Sequence, residues 1–308
     1  MRVFVTGATG FVGTAVVKEL LSAGHQVLGL ARSNEKAEQL RRQGAESLFG
    51  TIEDLEILKQ GASQCEAVIH LAFNANFSDF AGSCATDRAA ITALGSTLAA
   101  AGGDRAFVIT SGTMVLVGDD LADEDEKPRM TNPMAAMRGP SEALCLDFAK
   151  QGVRTSVVRL PPTTHGPGIS GFTGPLVMTA AEKGISAYVG DGENRWAAGH
   201  RDDAAKIYRL AMEKAEPRSV FHAVGEEGVT VKDIATEIGN KLGIPVVSIW
   251  PEKLEEHFGR FAFGPMANNP ASSKKTQERL GWTPAGPTVL EDVPGVIEFV
   301  KSQAPGAQ

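Results

Sequence analysis

Eight consecutive residues near the start, Thr6-Gly7-Ala8-Thr9-Gly10-Phe11-Val12-Gly13, have the types and spacing needed to hold a phosphate. A glycine at position 7 permits a tight strand-to-helix turn, Gly10 lets backbone approach a pyrophosphate, and Gly13 lets the helix pack closely on the strand. The N–H groups that open such a helix, and the positive end of its dipole, attract the phosphate charge. Gly7, Thr9, Gly10, Phe11 and Val12 are therefore the expected phosphate contacts. A glycine triplet alone is weak evidence; its place after an apolar strand and before an amphipathic helix is the context the chemistry requires. A dinucleotide site that prefers NAD(H) carries an acid roughly 20 residues further on, to hold the ribose 2′-OH. Here that position reads Ala31-Arg32-Ser33, and no acid appears before Glu35. Arg32 can hold a 2′-phosphate and Ser33 can donate to it, so the expected cofactor is NADP(H) and NAD(H) is less favoured.

The elements that must position these residues alternate short apolar runs with longer amphipathic ones, the pattern of βαβ units and a parallel sheet. Strands are expected at 3–5, 27–30, 47–49, 67–71, 106–110 and 153–159, with helices between them. Val12, Val16, Leu20 and Ala23 share one helical face, and Gly24 stops that helix. A single helix is expected over 77–101, and another from Pro140 to a stop at Gly152, since proline is favoured at the first helical position. The acidic segment 119–127 between them reads as a solvated loop, and Lys274-Lys275 as a solvated helix face. Leu160-Pro161-Pro162 breaks the pattern and marks a lobe boundary. The fold class expected is α/β: a Rossmann doubly wound parallel sheet with helices on both faces and a smaller C-terminal α+β substrate lobe. The cofactor domain would span 1–160, completed by a return segment near 186–224, with 161–308 mainly forming the substrate lobe. That second half is expected to hold helices at 174–183, 202–214 (capped by Asp202), 231–242, 251–258, 272–280 and 290–301, strands at 219–224 and 246–249, and a frayed tail over 302–308.

A net charge of −7 argues against nucleic acid as a partner, because phosphate backbones need a basic surface. Cys65, Cys84 and Cys145 are too few and too far apart for a disulfide framework, and they suit buried thiols in a reducing compartment. The histidines show no metal-ligand spacing. No apolar run approaches a membrane span, and no signal-peptide pattern precedes the first strand, so a cytoplasmic location is expected.

The glycine turn, His70-Leu71-Ala72, Thr110-Ser111-Gly112, Val158-Arg159-Leu160-Pro161-Pro162, Tyr188-Val189-Gly190-Asp191-Gly192, Asn194-Arg195-Trp196 and His200-Arg201-Asp202-Asp203-Ala204-Ala205 resemble the short-chain dehydrogenase/reductase superfamily. The resemblance is to its extended and atypical branches, with their TGxxGxxG fingerprint and epimerase or dehydratase relatives, and it covers nearly the whole chain. It implies that Leu71 and Ala72 border the cofactor. One departure stands out. The superfamily uses a tyrosine with a lysine four residues later, but the two tyrosines here, Tyr188 and Tyr208, are followed at that spacing by Gly192 and Met212. Arg138 and Glu142 stand near the expected register, with an i,i+4 ion pair as their ordinary use.

Hydride chemistry needs from the protein mainly geometry and a proton. Ser111 and Thr113 leave the fifth strand where relatives place a hydroxyl that binds the substrate carbonyl. His165 follows the sixth strand where relatives carry the tyrosine of an Asn-x-Tyr-Gly loop, and an imidazole can donate a proton near neutral pH. Its bland alternative is a loop histidine facing water. Tyr188 is expected to pack at a strand edge and His70 to be structural. Arg195 stands one residue off an arginine that contacts substrate in sugar-nucleotide relatives. Phe172, Met178, Trp196, Phe261, Phe263 and Met266 are expected mostly in the core, a subset lining an apolar pocket. The expected function is an NADP(H)-dependent oxidoreductase of a small carbonyl or alcohol substrate, with Ser111, Thr113 or His165 in place of the tyrosine. A non-catalytic NADP(H) sensor and a non-redox epimerase or lyase are the alternatives. A homodimer is an open expectation: Ala89, Ala90, Ala93 and Gly95 would allow close helix approach between copies, or against the chain's own fold.

Overall fold

Val3 and Val5 point to one face of a sheet and Phe4 to the other, and this alternation recurs strand by strand. The structure, a computed structural model, is described over residues 1–74, 76–168 and 171–303. Its first half runs β1 (Arg2–Thr6), α1 (Phe11–Ser22), β2 (Gln26–Ala31), α2 (Asn34–Gln43), β3 (Glu46–Phe49), α3 (Leu55–Ser63), β4 (Ala67–His70), α4 (Phe80–Ala101), β5 (Ala106–Gly112), α5 (Pro133–Asp147) and β6 (Arg154–Leu160). The second half runs β7 (Thr163–His165), α6 (Thr173–Lys183), β8 (Ser186–Val189), β9 (Arg195–His200), α7 (Arg201–Lys214), β10 (Ser219–His222), β11 (Glu226–Thr230), α8 (Val231–Leu242), β12 (Val246–Ile249), α9 (Leu254–Phe258), α10 (Lys274–Leu280) and α11 (Val289–Ser302).

Seven strands form one sheet in the order β10-β6-β5-β4-β1-β2-β3, every neighbouring pair parallel. Helices α1, α2 and α7 cover one face around Val16, Leu20, Leu40 and Ile207. Helices α3, α4 and α5 cover the other around Leu58, Ile91, Leu94 and Cys145. This is the doubly wound α/β fold expected. The strand order reverses between β1 and β4, which opens a crevice at their carboxyl ends, where such sheets bind ligands. Helices α6, α8, α9 and α11 enclose a separate core around Val177, Ile234, Leu254 and Ile297. The smaller sheets are β11-β9-β7 and the parallel pair β12-β8.

Several local expectations are corrected. Helix α5 starts at Pro133, not Pro140: Asn132 caps it by accepting from the Met134 and Ala135 N–H groups, and Pro140 lies inside. A short 3₁₀ turn, Phe77–Asp79, precedes α4, which begins at Phe80 with Asp79 as its cap. The cap of α7 is His200, whose ring nitrogen accepts from the Asp202 N–H, so Asp202 sits in the first turn. The acidic segment is not simply solvated. Glu124 is buried and accepts from the Thr276 N–H and hydroxyl at 2.5 and 2.6 Å, while Lys275 donates to Asp123 and Asp125 at 2.7 and 2.6 Å. Strands β7, β9 and β11 lie outside the expected elements, whereas β8 is the strand on which Tyr188 is expected to pack; β7, and β9 beyond the exposed Arg195, are buried at every position, so no polar alternation marks them. Of the tail expected to fray, Ser302 ends α11 and 304–308 lie outside the described residues.

Candidate functional site

The glycine turn is built as tightly as its residues allow. Gly7 has φ 67°, and a Cβ there would lie 2.7 Å from the Ala72 backbone nitrogen. A Cβ on Gly13 would overlap the Gly7 carbonyl oxygen, so α1 can sit this close only with hydrogen at that position. Gly10 is exposed, and its Cβ would meet nothing nearer than the Gly7 oxygen at 3.2 Å, so the space above it is open. Gly10 is also the N-cap of α1, with no side-chain cap and no acid in the first turn. Uncapped N–H groups and a positive dipole end therefore face open space, a seat for an anion. Thr9, Phe11 and Val12 are half-buried around it. The Arg201 guanidinium lies 4.9 Å over the Phe11 ring. Thr6 Oγ1 accepts from the Ala72 N–H at 3.3 Å, and the Leu71 N–H donates to the Thr6 carbonyl at 3.2 Å, which holds Leu71 and Ala72 against the turn.

At the end of β2, Arg32 is exposed and forms no ion pair or side-chain hydrogen bond among the described residues. The Ser33 hydroxyl oxygen caps α2 by accepting from the Lys36 N–H at 3.3 Å, which leaves its proton free to donate.

A cavity of about 640 Å³ opens beside Val12, between Gly112, Met114 and Leu160 on one wall and Phe172, Phe261 and Phe263 on the other. The three phenylalanine rings meet edge to face at 5.1 to 5.7 Å, and Trp196 backs Phe172 at 5.1 Å. This is the subset of apolar residues that lines a pocket; Met178 and Met266 are exposed instead. A larger cavity, about 940 Å³, runs along α5 and β10 past Leu146 and Val220. It touches none of the turn residues, so the smaller cavity is the one placed for chemistry with a bound dinucleotide.

Ser111 is 6% exposed, and its hydroxyl has no hydrogen-bond partner among the described residues. Thr113 is fully engaged: it donates to Asn269 Oδ1 at 2.6 Å while its carbonyl accepts from Asn269 Nδ2 at 2.9 Å. His165 lies buried on β7 rather than in a solvated loop, with Nδ1 2.6 Å from Asp292 and its ring 5.5 Å from that of His200. Burial holds its pKa below the ordinary value, against the opposing pull of Asp292. Tyr208 is buried in α7, its hydroxyl 2.8 Å from Thr110 Oγ1, and desolvation pushes its pKa upward. Tyr188 is half-buried on β8 with the Lys232 ammonium 5.8 Å over its ring.

Arg138 and Glu142 do not pair with each other. Arg138 forms an ion pair with Asp87 of α4 and donates to the Thr110 carbonyl at 2.6 Å, while Glu142 takes a two-pronged bond from Arg159 at 3.1 and 2.8 Å. Asp87 is fully buried; it also accepts from Ser141 at 2.7 Å and lies 3.3 Å from His70 Nε2. Burial acts to raise the Asp87 pKa, but His70, Arg138 and Ser141 outweigh it and keep the carboxyl below its usual range. The other nitrogen of His70 meets Thr6 Oγ1 at 2.7 Å, so the network reaches the glycine turn. Sequence reasoning missed Asp87, although its signal was present: it shares a helical face with Cys84, Ile91 and Leu94, all buried.

These features define a dinucleotide-binding α/β protein with a cleft beside the phosphate turn, and residues 3–223 match the model of the NAD dependent epimerase/dehydratase family. The chain belongs to that family. It is 45% identical over 298 residues to an uncharacterized protein of Schizosaccharomyces pombe, covering 95% of this chain and 98% of the relative. It is 28% identical over 251 residues to the 4-hydroxy-2-methyl-3-oxo-4-farnesyl-3,4-dihydroquinoline-1-oxide ketoreductase of Stigmatella aurantiaca, covering 79% of this chain and 74% of the other. The solved UDP-glucose 4-epimerase of Thermotoga maritima, crystallised with UDP-glucose, has the same fold with TM-score 0.78, at 24% identity and covering 98% of this chain and 99% of the other. No helix of the described residues is long and apolar enough to cross a membrane.

Proposed function

We propose that the protein is an NADP(H)-dependent oxidoreductase acting on a small carbonyl or alcohol substrate. The observation that carries the cofactor choice is Arg32, an exposed and unpaired cation at the end of β2, where no acid stands to receive a ribose 2′-OH. Gly7, Thr9, Gly10, Phe11 and Val12 would hold the pyrophosphate, Arg32 and Ser33 the 2′-phosphate, and Leu71 and Ala72 would border the cofactor. The chemistry a bound nicotinamide supplies is hydride transfer. Ser111, buried with an unpartnered hydroxyl beside the cavity-lining Gly112, would donate a hydrogen bond to a substrate oxygen and orient the carbonyl for a proton delivered by water. Thr113 serves through Asn269, fixing the exit of β5, and His165 through Asp292, tying β7 to α11. Both are positioning residues in this reading. The Stigmatella ketoreductase supports a carbonyl substrate. The buried, unpaired thiols Cys65, Cys84 and Cys145 support a reducing, cytoplasmic setting.

One set of observations favours a second reading, a dinucleotide-binding protein without turnover: Thr113, His165 and Tyr208 are all engaged away from the cleft. The deciding assay follows NADPH consumption against aldehydes, ketones, diketones and imines after NADPH binding has been titrated. Turnover that falls in Ser111→Ala at unchanged NADPH affinity supports the reductase. Tight binding with no turnover of any class supports the second reading.

A further inference from the structure

The cavity beside Val12 has a composition that selects a substrate class. Its walls are Met114, Pro161, Pro162, Phe172, Phe261 and Phe263; the buried Thr164 in its lining spends its hydroxyl on the Pro161 carbonyl at 2.9 Å, and the exposed polar groups, Asn76, Ser78 and Arg260, stand at the mouth. The phenylalanine rings are already locked edge to face, with Trp196 fully buried behind them, so an apolar face is formed before any ligand arrives. Arg260 crosses the cleft from the 3₁₀ turn Gly259–Phe261 and makes one long hydrogen bond, 3.4 Å, to Ser78 on the opposite lobe. Among the described residues no carboxylate lies within ion-pair distance of it. Arg195, whose place in the sequence resembles that of a substrate-contacting arginine in sugar-nucleotide relatives, does not line the cavity and donates to the Asp119 carbonyl at 3.3 Å.

We propose that the substrate is an apolar carbonyl compound, built on a ring or a long alkyl chain, with a single anionic group that Arg260 receives at the mouth. The proposal rests on the reductase reading above. A volume near 640 Å³ lies within the range of small-molecule sites, which are mostly apolar with a few placed polar groups. A diphosphate-sugar would bring two charged phosphates and a polar ring to a wall of phenylalanine and proline with one cation beside it. Desolvating those groups without partners opposes binding. A body of one or two rings gains from the same wall, and its anion gains a charge-assisted bond from a guanidinium whose present bond is weak.

Equilibrium binding tests this independently of turnover. Phenyl-, naphthyl- and decyl-substituted 2-oxo acids, their methyl esters and UDP-glucose would be titrated by calorimetry into the wild type, Arg260→Gln and Phe172→Ala, each with and without NADPH. The expected result is that at least one acid binds about tenfold tighter than its ester, the low end for a bond to a charged group. Arg260→Gln should remove that preference and leave the ester unchanged, while Phe172→Ala should weaken acid and ester alike. UDP-glucose binding tighter than every acid, no acid binding at all, or an acid-to-ester ratio unaltered in Arg260→Gln would each overturn the proposal. Binding as expected but without NADPH consumption would leave this substrate class standing and remove the reductase reading.

Discussion

Replacing Asp87 by asparagine should cost more stability than almost any other isosteric change in the chain. The carboxylate is fully buried, and it is the counter-charge of Arg138, which is itself only 9% exposed. Asparagine keeps the shape and one acceptor oxygen for the Ser141 hydroxyl, but it leaves a guanidinium in the interior with no opposing charge. Removing one partner of a buried pair typically costs about 3–5 kcal/mol. The retained acceptor, the Arg138 bond to the Thr110 carbonyl and the Phe73 ring 4.5 Å under the guanidinium place the expected loss near the lower end, about 3 kcal/mol. That is a large share of the roughly 5–15 kcal/mol that holds a typical domain folded. Urea unfolding, followed together by tryptophan fluorescence and far-ultraviolet circular dichroism at pH 7, measures it. The sign with pH is fixed too. A carboxyl whose folded pKa is depressed contributes stability above its unfolded pKa and loses it as pH falls through the folded value. The wild type should therefore lose its advantage over Asp87→Asn in the acid range, below the ordinary carboxylate pKa. The double variant Asp87→Leu/Arg138→Met, which removes both charges, should recover most of the loss. A cost below about 1 kcal/mol, typical of an exposed pair, with no acid dependence would refute the reasoning.

The remaining predictions concern the turn, helix α11 and the sheet edge. Gly13→Ala places a methyl group against the Gly7 carbonyl, so α1 must lift from the turn; overpacking of this kind costs about 1–3 kcal/mol, and NADPH affinity should fall at least tenfold. Gly295→Ala, where an added Cβ meets nothing within 4 Å inside α11, should instead stabilise the fold by about 0.5–1 kcal/mol with no change in NADPH affinity by titration. Burial, then the Arg159 charge, pushes the His222 imidazole from 6.5 down to about 3. The folded state holds it neutral while the unfolded chain protonates it, so stability falls as pH drops from 6.5 towards 3. At about 1.4 kcal/mol per pKa unit this amounts to roughly 2–3 kcal/mol by pH 4.5, and urea unfolding of His222→Gln should show a correspondingly flatter pH profile.

The phosphate turn was legible from the sequence because its chemistry is largely local: the glycines that shape it lie within eight positions, and only the backbone of Leu71 and Ala72 packs on it from afar. The alternating elements of the first half were legible for a related reason, since β-strands buried on both faces read as plain apolar runs. What failed was competition between equivalent local signals. The rule that proline opens a helix held, but at Pro133 behind an asparagine cap and not at Pro140. The capping rule held at the start of α7, but a histidine ring took the role two residues ahead of the aspartate. Charges were the hardest to read. Arg138 and Glu142 have the spacing of a surface pair, yet each finds a partner on a different element, Asp87 and Arg159, because the interior offers no water to satisfy them. The acidic segment and Lys275 looked solvated for the same reason: their contact spans about 150 residues of sequence and no local pattern encodes it. Arg260 and Ser78, which meet across the cleft, are invisible in the sequence on the same grounds.

The central claim is tested most directly by titrating NADPH and NADH into the wild type and Arg32→Ala. A hydrogen bond to a charged group contributes about 1.5–3 kcal/mol, so the variant should lose roughly ten- to a hundredfold in NADPH affinity while NADH affinity stays within about twofold. Equal losses for both cofactors, or a wild type that prefers NADH, would contradict the assignment of Arg32 to a 2′-phosphate and with it the NADP(H) reading of the site.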